Sequence, residues 1–156
     1  GYKAKKSYVS WYQYLFTPQT ADRGAAFIIS SGVYRNSWTK TTDGWLSFIY
    51  GELDETSLYI LKRHEALASI YGEAPNAIAA AKEYFQKQVA VADKHLWDNQ
   101  FLVNKKFGVS DIFLTTCLGW AESFGIGLSD NLKSYLNRMV AREGYRATKT
   151  QNIQQL

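Results

Sequence analysis

The 156-residue sequence predicts an all-α fold, a helical bundle, on three observations. From about Asp43 onward apolar residues recur every three or four positions, the spacing that lines one face of a helix. Gly72 with Pro75, and Gly125 with Gly127, stand where one helix would end and another begin. Residues 107–112 read as a helix start, with an acid three positions past a cap and a large apolar residue on either side. Apolar content of 46% and aromatic content of 15% supply one domain with a dense core.

The first helix is expected over 44–64. Leu46, Ile49, Leu53, Ile60 and Leu61 lie near one face, while Glu52, Asp54, Glu55, Lys62 and Arg63 lie mostly elsewhere. Its acids sit in the middle and its bases at the C-terminal end, the order that the helix dipole favours. Gly72 suits the position after a helix and Pro75 the first turn of the next. Residues 76–98 carry Ile78, Ala81, Phe85, Val89, Ala92 and Leu96 at helical spacing, with no interrupting glycine or proline. Residues 99–106 read as a short polar connection.

Gly108 is the expected N-cap of the next helix, 109–124. Asp111 is then N3, where a carboxylate accepts the orphan N–H groups of the first turn. Phe107 and Ile112 hold the hydrophobic-staple spacing around it. The run that follows, with Cys117 and Trp120, is nearly uncharged and is expected to be buried on most sides. Ser129 caps a helix over 129–142, with Leu132, Tyr135, Leu136, Met139 and Val140 inward. The tail after Tyr145 is polar and expected to fray.

Residues 1–42 form an unassigned leading segment, set apart from the helical domain at 43–156. Pro18 and Gly24 punctuate it as a loop. Residues 25–29 form a short apolar run that fits a strand and a buried helical turn equally well.

Composition narrows the function. A net charge of +4 is mild, and outside Lys3–Lys6 the basic residues are scattered, so nucleic acid is not an expected partner. No apolar run reaches bilayer-spanning length, so no membrane is expected either. A single cysteine excludes an internal disulfide, and with no secretory pattern at the N-terminus the expected compartment is cytoplasmic. Cys117 reads as a small buried hydrophobe with a raised pKa. His64 and His95 lie near helix C-terminal ends, where the dipole favours a partly charged ring, and their spacing matches no metal site. Glu52, Asp54 and Glu55 read as a solvated acidic face.

Four stretches, taken in order, resemble the C-terminal domain of bacterial glutathione S-transferases. They are Trp45 to Tyr59, Arg63 through Pro75 to Ala81, the Phe107–Gly108–Asp111–Ile112 helix start, and Leu136 to Arg142. Two departures are Gly108, where that family usually has Ser or Thr, and Arg142-Glu143-Gly144-Tyr145, where it often has Arg-Pro before an aromatic. The resemblance implies glutathione as co-substrate, a small apolar electrophile, and a homodimer or a thioredoxin-like domain as partner. In the family that second domain holds the catalytic Ser, Cys or Tyr, and residues 1–42 match none of its motifs. No catalytic residue carries over, and whether the chain is an enzyme stays open. The alternative is a non-catalytic binding or scaffold domain used in protein assembly.

Candidate substrate-binding residues lie on the second face of the first helix: Trp45, Phe48, Glu52 and Tyr59, with Arg63 beyond them. Mixed aromatic and charged stripes suit a cleft wall, and the resemblance places the electrophile pocket on this helix. The same aromatics suit packing against neighbouring helices equally well. If they are open, Trp45, Phe48 and Tyr59 would make an apolar docking patch.

Overall fold

A computed structural model describes residues 39–154, with side chains through Thr148; the strand-or-turn reading of 25–29 lies outside the described residues. Six helices follow one another: α1 (42–66), α2 (Ala68–Tyr71), α3 (Pro75–Asp98), α4 (Val109–Ser123), α5 (Asp130–Val140) and α6 (Glu143–Gln154). The described residues contain no strand, only one isolated bridge between Val103 and Lys106. None of their helices is long and apolar enough to cross a membrane. The bundle packs α1 against α3 and α4, and α5 against α3 and α4.

Thr41 caps α1, its hydroxyl accepting from Gly44 N–H at 3.1 Å. The helix then departs from ordinary winding. Residues Ile49–Leu58 and Lys62–Ala66 close i→i+5 turns, separated by the short α-helical stretch Tyr59–Leu61. Gly72, at φ 82°, ends α2 in a conformation that costs any other residue more. Pro75 opens α3 at the N-terminal position where its missing N–H costs nothing.

The start of α4 organises the bundle. Gly108 is its N-cap, in extended backbone, and supplies no side-chain acceptor. The capping is one-sided: Asp111 Oδ2 accepts from Gly108 N–H at 2.9 Å. Asp111 Oδ1 accepts from Leu102 N–H at 3.0 Å and from the Tyr135 hydroxyl at 2.7 Å. A carboxylate 1% exposed thus ties the incoming loop, the cap and α5 together. The connection before it is less polar than the sequence suggests. A tight turn, with Asn104 and Lys105 both at φ 53°, folds Leu102 into the core at 1% exposure.

The other end of α4 closes with Gly125 at φ 70°. Ile126 N–H reaches the Ala121 carbonyl at 2.8 Å and Gly125 N–H that of Glu122 at 3.0 Å, the paired bonds of a Schellman motif. Ser129 caps α5 through Leu132 N–H at 3.2 Å, and Asn131 fastens that end to Asp93 of α3.

Several expectations need correction. Helix α4 is not buried on most sides: its buried residues, Ser110 to Ala121, fall on one side, while Val109 and Ile112 are 43% and 51% exposed. Residues 146–154 of the polar tail are wound into α6. Trp45 and Phe48 are 0% and 1% exposed, so neither belongs to an open docking patch. Leu46 and Ile60, expected inside, are only half-buried.

His95 also departs from the dipole argument. A carbonyl only accepts, so Nε2–H donates to Leu102 O at 3.1 Å, and the ring meets Trp45 edge-on at 4.9 Å. Burial lowers its pKa below the ordinary 6.5, against the Leu102 and Phe101 carbonyls and the Asp111 and Asp98 charges. The unfolded chain therefore takes the proton first as pH falls below about 6.5, and stability is lost from there down to the lowered folded value. Urea unfolding at pH 7.5 and 5.5 should show a larger loss for the native chain than for His95→Gln. Equal losses would contradict this account of the ring.

Candidate functional site

The four residues singled out on the first helix do not share one open face. Trp45 and Phe48 sit inside, their rings 5.8 Å apart and edge to face, with the Trp45 indole N–H bonded to Thr39 O at 2.8 Å. Glu52 turns toward α3, where its carboxylate accepts the Tyr84 hydroxyl. Tyr59, 38% exposed, pairs with Arg63, whose guanidinium stands 4.7 Å from its ring and 5.2 Å from that of Tyr71. The stripe thus splits into two pairs, Trp45 with Phe48 in the core and Tyr59 with Arg63 at the surface. The acidic cluster is divided in the same way: Glu52 is tied down, Asp54 is half-buried and Glu55 is exposed.

The residues of the helix start lie at a different place. Phe107 packs on Phe101, centroids 6.2 Å apart, and lies 3.8 Å beneath the Arg142 guanidinium. Ile112 remains 51% exposed, so the staple pair shields little from water.

A second grouping, on the seam between α1 and α4, was not evident from the sequence. Tyr50 of α1 meets Phe113 of α4, ring centroids 4.8 Å apart and tilted. Further along, Asp54 is close enough to Cys117 for its charge to act on the thiol. Lys62 Nζ then stands 5.3 Å from the centre of the Trp120 ring. The three pairings ascend together along both helices, which therefore run in the same direction. Tyr50 is 42% exposed, and Phe113, Asp54, Lys62 and Trp120 are half-buried.

Electrostatics follow from that placement. Burial raises the Asp54 carboxyl above its ordinary range, Glu55 adds to the rise and Lys62 opposes it. Burial, helped by Asp54, pushes the Cys117 thiol up to about 12, so it is no nucleophile at neutral pH. Among the described residues no group of three or more His, Cys, Asp or Glu is placed to hold a metal ion. The seam therefore offers flat aromatic surface, one shielded carboxyl and one ammonium. That chemistry suits holding an apolar molecule, and it contains no attacking group of its own.

The described residues form a helical bundle built around a helix whose N3 acid reaches back to its own cap. The chain belongs to the family of glutathione S-transferase C-terminal domains, whose family model matches residues 52–143. No curated protein and no solved structure matches it. The matched span contains most of α1, all of α3, α4 and α5, and every seam residue except Tyr50.

Proposed function

We propose that the α1–α4 seam forms the apolar wall of an electrophile pocket in a glutathione S-transferase-like protein. Glutathione would be the co-substrate, held by a thioredoxin-like domain docked beside this one, and the intact protein would be a homodimer. The Tyr50–Phe113 pair, open to solvent along one edge, is the observation that carries this reading. Trp120 continues the aromatic surface, and Lys62 and Asp54 offer polar anchors at its margin. Such a wall holds a flat electrophile where a thiolate supplied from the facing domain can reach it, lowering the entropic part of the barrier. Trp45 and Phe48 would contribute indirectly, as part of the buried core on which α1 packs. Glu52, held toward α3 by Tyr84, and Tyr59, paired with Arg63, would reach a bound molecule only from beyond this wall.

Calorimetric titration with naphthalene, an unreactive arene, tests the wall without requiring turnover. The native chain should bind it, and Phe113→Ala or Trp120→Ala should weaken binding about fivefold each, the scale of one lost aromatic contact. No binding by the native chain, or binding untouched by both changes, would favour the scaffold reading.

A further inference from the structure

The winding of α1 calls for an explanation of its own. Trp45 and Leu61 are both 0% exposed, yet they stand sixteen positions apart on one helix. At about 100° per residue an ordinary α-helix would set them about 160° apart, on nearly opposite faces. Helix α1 brings both into one core through its i→i+5 turns. Tyr59 N–H reaches Asp54 O, and Leu67 N–H reaches Lys62 O at 2.9 Å. Each such turn holds more residues than an α turn, so rotation per residue slows and the buried stripe stays aligned.

Two side chains match that wider turn. The Thr56 hydroxyl donates to Gly51 O at 2.6 Å and the Ser57 hydroxyl to Glu52 O at 3.1 Å, both five residues back. Helix α4 supplies the internal comparison. There Thr115 and Thr116 donate four residues back, to Asp111 O at 2.6 Å and Ile112 O at 3.1 Å, as hydroxyls do in α winding. Ser57 is 0% exposed, so its hydroxyl has the Glu52 carbonyl as partner in place of water.

We infer that Thr56 and Ser57 are positioning residues whose hydroxyls hold α1 in its wide register and thereby set which side chains face α4. The seam depends on that register. Tyr50 and Lys62, twelve positions apart, would lie about 120° apart in α winding and would not both face α4. In the wide register Tyr50 meets Phe113 and Lys62 meets Trp120. The inference goes beyond the electrophile reading and holds whether or not the seam takes an arene.

Fluorine NMR of the full chain labelled with fluorotryptophan tests it, with the Trp120 signal assigned by Trp120→Phe. Lys62→Met defines how that signal moves when the ammonium leaves the ring. The double change Thr56→Val with Ser57→Ala removes both hydroxyls. It should shift the Trp120 signal in the same direction by at least half as much, with helix content retained by circular dichroism. Thr56→Ser, which keeps the hydroxyl, should leave the signal in place. A Trp120 signal that stays at its native position in the double variant overturns the inference, whatever happens to the melting temperature. If the double variant does not fold, Thr56→Val alone decides, since Thr56 is exposed: a shifted signal supports the inference and an unshifted one overturns it.

Discussion

Asp111→Ala is expected to cost about 3–5 kcal/mol and to lower the melting temperature by about 10 °C or more. The change strands three donors at once: Leu102 N–H, Gly108 N–H and the Tyr135 hydroxyl. Leu102 N–H and the Tyr135 hydroxyl lose a charged acceptor where water has little access, because Leu102, Asp111 and Tyr135 are each 1% exposed, whereas Gly108 is half-buried. Burial first, and then the Asp111 charge, push the Tyr135 pKa upward, so that hydroxyl remains a donor across the accessible pH range. Tyr135→Phe removes only one of the three bonds and should cost about 1–2 kcal/mol. Urea denaturation of both variants tests the ordering. Equal costs would show that the loop and cap bonds contribute nothing.

Phe48→Asp is expected to prevent folding, with a cost of at least about 4–5 kcal/mol. Phe48 is 1% exposed and packs edge-on against Trp45, so the new carboxylate would enter the core with no partner. Far-ultraviolet circular dichroism with a melting curve reads the outcome. A Phe48→Asp chain that melts cooperatively at the native temperature would place Phe48 on a surface, where the stripe reading of the first helix had it.

Where the sequence was readable, local chemistry decided the structure. Gly108 and Asp111 sit three apart because an N3 acid reaches back to its own cap, and Gly125 ends α4 because φ 70° disfavours other residues more than glycine. Helix α3 was legible from Ile78 to Leu96 because it winds uniformly. The family resemblance rested on residues 45–59, 63–81, 107–112 and 136–142, and the match over 52–143 bears out the glutathione S-transferase C-terminal domain family.

Two kinds of information were hidden. One was winding. Assuming 3.6 residues per turn across 44–64 put Trp45 and Phe48 on an outer line and Leu46 and Ile60 inside. The wide turns of α1 shift that pattern, and nothing in hydrophobic periodicity alone announces them. The paired hydroxyls of Thr56 and Ser57 were the available signal. The other was long-range pairing. Asp111 with Tyr135, Tyr50 with Phe113 and Lys62 with Trp120 join residues far apart in sequence, and each residue taken alone has an ordinary reading. Desolvation likewise overrode the dipole at His95, because its environment is set by Trp45 and the 99–106 turn.

The central claim is that the α1–α4 seam is the ligand-holding face of this domain. The most direct measurement is amide and side-chain shift mapping of the labelled chain during titration with naphthalene. The account predicts that the largest changes gather at Tyr50, Asp54, Phe113, Cys117 and Trp120 and saturate together with one affinity. Changes that gather instead at the exposed Ile70, Tyr71 or Trp97, or that spread without saturating, would contradict it.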